Sequence, residues 1–484
     1  MSTRNWDSSL LTSIKKAQND ADYYNRYQAL LISPPPTTRS IGGLIANPQS
    51  GSLSSNTVTS IHFGQMPQFF RNEGNTTVLQ SQQFLPLELP VELPVPYLPF
   101  IYSFDHDGTE NPLDHVPILN TGYIKVSKSY VKNNNTYTVT IHLVELNDNG
   151  EMKNGITFID SLQFYNNNTT HLKILQFGSI PLSREAGQFS YLTDIHIDPI
   201  TSPMILTNTN FTSCFENCSN FNSDISNWTT TNVVSIDKMF HNASSFNQPI
   251  GSWNVSNVRS MSETFRGASI FDQSLGSWNT QSVTDMKGLF REASKFNQDI
   301  STWNTSNVIN MPETFLNAKK FNQPIGSWNV TNVLTIDSMF KNADKFNANL
   351  NNWNTQNIQL MDYAFENAIE FNNGQESTES TNPLTWNTTS VTAMFSMFSG
   401  ASSFNQAITY TTGSIWNTSN VNGMDYMFDN ATNFNNGQTP NVGTTAPLNW
   451  ITSGLPSLPV TGFNTNSGLT VDNSKNIDGF FIGS

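Results

Sequence analysis

Hydrophobic positions in the second half of the chain fall into columns. Phe221, Phe246, Phe271, Phe296, Phe321, Phe346 and Phe371 stand 25 residues apart, followed by Phe404 and Phe434. Trp228, Trp253, Trp278, Trp303, Trp328 and Trp353 keep the same beat, then Trp386, Trp416 and Trp450. A third column runs Val233, Val258, Val283, Val308, Val333, Ile358, Val391 and Val421, and a second phenylalanine column includes Phe240, Phe265, Phe290, Phe315 and Phe340. A fifth is small: Cys218, Ala243, Ala268, Ala293, Ala318, Ala343 and Ala368. Columns in phase over this length predict a repeat solenoid at residues 205–450.

Each unit can be read locally. Val258, Met261, Phe265 and Ala268 follow a 3-4-3 spacing, which predicts one face of a short helix. Pro249 cannot continue a helix, and Ile250 with Trp253 predicts a short extended run. The expected fold is an α/β solenoid, one short strand and one short helix per coil. Its core is Phe246, Trp253, Val258, Met261, Phe265, Ala268, Phe271, Trp278, Phe296, Trp303, Phe321, Trp328, Phe346 and Trp353. Stacked coils then place equivalent residues about 4.8 Å apart.

Polar residues share the beat. Asn222, Asn247, Asn297, Asn322 and Asn347 follow a Phe, and Asn254, Asn279, Asn304, Asn329 and Asn354 follow a Trp. A side-chain amide both donates and accepts, so these read as ladders that satisfy backbone groups in tight turns. Cys214 and Cys218 fill core columns of the first coil. Two thiols without a nearby His make a poor zinc site. Sequons such as Asn75, Asn254 and Asn329 are incidental to an Asn- and Thr-rich chain.

The period breaks in one place only. Trp to the following Phe stays at 18 residues, whereas Phe to Trp grows from 7 to 15 after Phe371, 12 after Phe404 and 16 after Phe434. All added length therefore bulges from one edge, as tolerated loops or as a binding surface. Asn373, Glu376, Glu379, Tyr410 and Gln438 are the candidate binding residues there.

The first half divides differently. Residues 1–33 predict a helix, through Leu10, Ile14, Ala17, Ala21, Tyr24 and Leu31, able to pack on its own chain or to pair with another copy. Residues 34–99 are a Pro-, Ser- and Gly-rich linker ending in LPLELPVELPVPYLPF, an extended strap. Residues 100–204 alternate like strands (YIKVSKSYV, TYTVTIHLVEL, GITFIDSLQFY), with a hairpin signal at Asn147-Asp148-Asn149-Gly150. An antiparallel β domain is expected there, and a C-terminal cap at 451–484.

Charge narrows the partners. The 484-residue chain carries a formal net charge of -14, which argues against a nucleic-acid groove. No stretch reaches the length of a membrane span, and MSTRNWDSSLL lacks a signal-peptide pattern. A nucleotide loop, a nucleophile elbow and a zinc-protease motif are all lacking. No cofactor is expected. The weak metal candidate is Asp105, Asp107 and Glu110 around a Gly turn, short of a full calcium loop.

Trp253-Asn254-Val255-Ser256-Asn257-Val258 followed by Met261, Phe265, Ala268 and Phe271 resembles the repeat of the BspA-like surface proteins, a leucine-rich-repeat-related family. Trp303 through Val308 with Met311, Phe315, Ala318 and Phe321 matches as well; Asp272, Thr264 and Thr314 are mild departures. Members occur on bacterial and protozoan surfaces and in large DNA viruses. The resemblance implies a leucine-rich-repeat-like solenoid and a structural or adhesive role without catalytic residues. The expectation is a non-enzymatic virion component that contacts capsid or surface proteins. The alternatives are a cell-surface or host-attachment adhesin that binds glycan or protein through the inserts, and, last, a carbohydrate-active enzyme with paired carboxylates.

Overall fold

The computed structural model describes the backbone of five strands between residues 100 and 163. It then describes residues 172–178, 181–199, 202–203, 205–376, 381–408, 416–434 and 436–437. The expected N-terminal helix, the strap and the C-terminal cap lie outside these residues. All described residues belong to one compact unit, Pro90–Ser484.

Of the alternating segments after residue 100, YIKVSKSYV and TYTVTIHLVEL lie on strands, and of GITFIDSLQFY only Leu162–Gln163 is among the described residues. β1 is Phe100–Asp105, β2 Ile118–Leu119, β3 Ile124–Asn133, β4 Thr136–Glu145, β5 Leu162–Gln163, β6 Leu172–Gln176 and β7 Ile195–Ile197. Five of them make a sheet in the order β3-β4-β1-β6-β7, and β2 pairs with β5 separately. The sheet is antiparallel until β6 and β7, which run parallel. β4 takes β3 and β1 as its neighbours, and its tight connection is at Asn133↔Thr136. The Asn147–Gly150 turn signal lies outside the described residues. Tyr, Val, Thr and Ile alternate along β4, the residue types that suit a pleated, half-buried surface.

The coils come next. β8 (Thr209–Asn210) pairs parallel with β9 (Val233–Ser235). From there single parallel bridges run Ser235, Ser260, Asp285, Asn310, Thr335, Leu360, Ala393 and Gly423, one per coil. Successive coils are thus in register, with the longer later units keeping phase. The extended residues follow the Val column; the Trp column, expected to carry them, sits in a turn-rich stretch that makes no bridge.

The core is a set of aromatic stacks. Within a coil, Phe240 and Phe246 stack at 4.0 Å; between coils, Phe240 meets Phe265 at 5.6 Å and Phe246 meets Phe271 at 5.9 Å. Trp278, Trp303 and Trp328 follow at 6.2 Å steps, nearly coplanar in tilt. Offset stacking of this kind adds about 0.5–1.5 kcal/mol per pair to the burial itself. Met261 and Ala268 complete the same buried spine.

One expectation is corrected: no coil contains an α-helix among the described residues. Residues 261–271 form a chain of tight turns instead. Thr264 N–H bonds back to Met261 carbonyl, Arg266 to Glu263, Ala268 to Phe265 and Phe271 to Ala268. The alternate N–H groups of Met261, Glu263, Phe265 and Gly267 cross to Asp285, Lys287, Leu289 and Arg291 of the next coil. The cause is a left-handed residue at every fourth position, Glu263 at φ 54° and Gly267 at φ 70°. Each one flips a peptide so that its N–H points along the stack, where a helix would keep it inside the segment. The turn chain still advances by three and four residues per inward side chain, which is why helical spacing was met.

The crossing pattern begins before the first regular coil. Gly187, Phe189 and Tyr191 donate to the carbonyls of Thr212, Cys214 and Glu216, and Phe189 stacks on Phe215 at 5.4 Å. This segment is the crossover between β6 and β7, so the sheet runs directly into the stack. Ile197 N–H completes the join by bonding Ser223 Oγ at 2.8 Å.

Candidate binding surface

Charge is divided between the faces of the stack. Residues 251–258, 276–283, 301–308, 326–333 and 351–358 contain no Asp, Glu, Lys or Arg. This Trp edge presents Ser, Thr, Asn and Gln, and ladders hold it. From Trp253 to Trp353 each Trp indole N–H donates one coil back, Trp278 to Ile250 carbonyl at 3.0 Å and Trp303 to Leu275 at 2.9 Å. Asn257, Asn307, Asn332 and Asn357 each donate to a carbonyl of the preceding coil. Thr280 and Thr305 reach forward to the carbonyls of Asn304 and Asn329. Such bonds leave few buried backbone groups unpaired.

The turn face carries the titratable side chains. His241 meets Glu216 at 3.2 Å, Arg291 meets Glu313 at 2.5 Å and Lys341 meets Glu366 at 2.5 Å, all between neighbouring coils. Burial works against Glu263, but the Arg266 guanidinium beside it and the nearby Lys238 hold its carboxyl below the usual range. Asp237 and Asp285 go the other way. Burial raises both, despite hydrogen bonds to Asp237 from Ser260 and the Ser262 N–H, and to Asp285 from the Lys287 N–H. Farther along, Tyr363, Phe395 and Tyr426 form an edge-to-face row, with the Lys341 ammonium 4.4 Å from the Tyr363 ring centre.

The residues expected in the core, from Phe246 to Trp353, are all buried; Trp253 at 4% is the most exposed of them. Cys214 and Cys218 are free thiols in the same core, and burial pushes Cys218 up to about 12. A thiol held that far from ionising is a packing residue.

The inserts require a correction. Asn373 is fully buried, and its amide is spent inside the fold. Its Oδ1 accepts the Leu350 N–H at 2.9 Å, and its Nδ2 donates to Asn351 Oδ1 and Asn382 carbonyl. Asn436 repeats the arrangement on the Ile408 N–H at 3.0 Å. Both take a left-handed φ and precede a glycine at φ 83° or 79°. The Asn-Gly start of these inserts is a clasp onto the previous coil, since Asn and Gly tolerate that backbone where other residues do not. Gln375 then closes the loop through Thr381 and Asn382. Glu376 is exposed; Glu379, Tyr410 and Gln438 lie outside the described residues. Asp105 ends β1, and its side chain, like Asp107 and Glu110, lies outside them too. Among the described residues no group of three or more His, Cys, Asp or Glu side chains is placed to hold a metal ion. Among the described residues no helix is long and apolar enough to cross a membrane.

An open groove of about 360 Å³ lies elsewhere on the Phe–Trp edge, between two regular coils. Asn322, Gln323, Pro324, Gly326, Ser327, Ala348, Asn349 and Asn352 line it. It arises from a gap in a ladder. In the coils before it, the residue after the core Phe accepts two donors from the next coil, a backbone N–H and a Gln amide. Asn222 Oδ1 receives Asn247 N and Gln248 Nε2, Asn247 receives Asp272 N and Gln273, and Asn297 receives Asn322 N and Gln323. Asn322 Oδ1 receives the Asn347 N–H at 2.9 Å, but Ala348 stands where the next Gln belongs. Sequence reasoning passed over this site, although the change from FNQ at 321–323 to FNA at 346–348 marks it.

Comparison with known proteins agrees with the repeat. No curated protein and no solved structure matches the chain. The family model described as "Mycoplasma protein of unknown function, DUF285" matches at residues 186–286, 260–378 and 379–446. Its first match starts beside Gly187, where the crossing hydrogen bonds begin. With more than half of its length matched by that model, the chain belongs to the DUF285 family and is a BspA-like repeat protein.

Proposed function

We propose that this is a non-enzymatic structural protein whose coil stack is a solenoid that mediates protein–protein contacts, as a capsid-associated component of a virion. The observation that carries the reading is the use made of the recurring polar residues. Asn, Thr, Gln and Trp at fixed phase spend their hydrogen bonds on the neighbouring coil, which yields a long, rigid, uncharged face. Repeat stacks use such extended faces for binding partners. The test is cross-linking of purified particles followed by mass spectrometry. Cross-links from residues 251–358 to a capsid protein are expected; absence of the chain from the particles would contradict the reading.

A second reading, host attachment through the Phe–Trp edge, is favoured by the groove beside Ala348 and by the inserts on that same edge. Particles that keep their integrity but lose attachment when 376–381 is shortened would favour it.

A further inference from the structure

We propose that the gap at Ala348 binds the acetamido group of a neutral sugar, a site that deepens the attachment reading and rests on it for the class of ligand. Three observations lead there. The absent group is a carboxamide. In the preceding coils its Nε2 donates to both the Oδ1 and, at Asn222 and Asn297, the backbone carbonyl of the Asn below. A ligand that fills the gap therefore offers an N–H to Asn322 Oδ1, which holds one donor where its counterparts Asn222, Asn247 and Asn297 hold two.

The opposite wall supplies donors. Asn349 Oδ1 is occupied by the Asn351 N–H at 3.0 Å, while the Nδ2 groups of Asn349 and Asn352 make no hydrogen bond among the described residues, and both residues are exposed. Both residues line the groove, and an acetamido carbonyl is an acceptor that their Nδ2 groups can take. Pro324 and Ala348 give its methyl group an apolar surface.

The lining also excludes rivals. None of its residues is charged, so a cation or anion would lose hydration without a counter-charge. It contains no aromatic side chain, so recognition there rests on hydrogen bonds to the amide and not on ring stacking. Its volume, about 360 Å³, falls at the lower end of the roughly 300–1,000 Å³ typical of small-ligand sites, which suits one or two sugar rings.

The test is a titration of the full chain with N,N′-diacetylchitobiose, followed by saturation-transfer NMR, with cellobiose and the tripeptide Gly-Gln-Gly in parallel. Diacetylchitobiose is expected to bind with a Kd of order 1 mM, about −4 kcal/mol, with the strongest transfer at the acetamido methyl. Ala348→Gln restores the side chain found at 248, 273, 298 and 323, so it is expected to fold at least as stably and to bind at least tenfold more weakly. Asn349→Ala combined with Asn352→Ala is expected to weaken binding several-fold. Unchanged binding in Ala348→Gln, equal binding of cellobiose, or preference for the Gln peptide would each overturn the proposal. Loss of diacetylchitobiose binding in Ala348→Gln with host attachment intact would uphold the site and contradict the attachment reading.

Discussion

The indole N–H of Trp303 donates to the carbonyl of Leu275 at 2.9 Å, and its ring lies 6.2 Å from that of Trp278 at a 5° tilt. One residue thus closes two kinds of link between coils. Trp303→Phe keeps most of the apolar surface but strands a buried carbonyl, which costs about 1–3 kcal/mol. Trp303→Ala adds a cavity and is expected to cost about 3–5 kcal/mol. Urea denaturation of both variants checks the order.

One left-handed glycine and one outside the left-handed region give a sharper contrast. At Gly267, φ is 70° and an added Cβ would run into Asn242 Oδ1. At Gly423 an added Cβ meets nothing within 4 Å. Gly267→Ala is expected to destabilise by more than about 1 kcal/mol, and Gly423→Ala to stabilise by roughly 0.4–1 kcal/mol through the unfolded chain. Thermal unfolding of the two variants decides it.

A loss of stability with rising pH follows from Asp237. Burial raises its carboxyl above the usual value in the folded protein, so the folded state holds its proton more tightly than the unfolded one. That preference favours folding at low pH and is lost as pH rises from the unfolded value through the raised folded one. Asp237→Asn retains an acceptor for the Ser260 hydroxyl and the Ser262 N–H. The variant is expected to gain on the wild type as pH rises through that window and to hold a constant advantage above it. Denaturation midpoints across a pH series measure the difference.

Within the inserts, Asn373 and Glu376 separate clasp from tip. Asn373→Ala removes the acceptor of the Leu350 N–H and is expected to cost about 1–3 kcal/mol. Glu376→Ala, at an exposed position, is expected to change stability by less than about 0.5 kcal/mol. Equal effects in a melting experiment would contradict the clasp.

Much of this arrangement is legible in the residues themselves. Phe and Trp columns 25 apart identify the buried spine, because inward positions in stacked coils are equivalent. The turn chain was not legible from hydrophobic spacing, since helix and turn chain share the 3-4-3 rhythm. The available signal was polar: Asn at 242, 317, 342 and 367 and Gly at 267, residue types that accept positive φ. Asn373 misled for a similar reason. A polar residue in an insert reads as exposed, yet this one is buried by the backbone it satisfies. The groove depends on one missing side chain, Ala348, which is visible only once the ladder that it interrupts is known.

Register between coils is tested most directly by disulfide trapping at the bridge partners Ser260 and Asp285. Parallel neighbours at about 4.8 Å fall within the Cα separations a disulfide spans, about 4.4–6.8 Å, whereas Ser260 and Asn310 are two coils apart. The double variant Ser260→Cys with Asp285→Cys is expected to cross-link nearly completely under mild oxidation of the folded protein, and Ser260→Cys with Asn310→Cys to remain reduced. Equal trapping of both pairs, or none of the first, would contradict the stack.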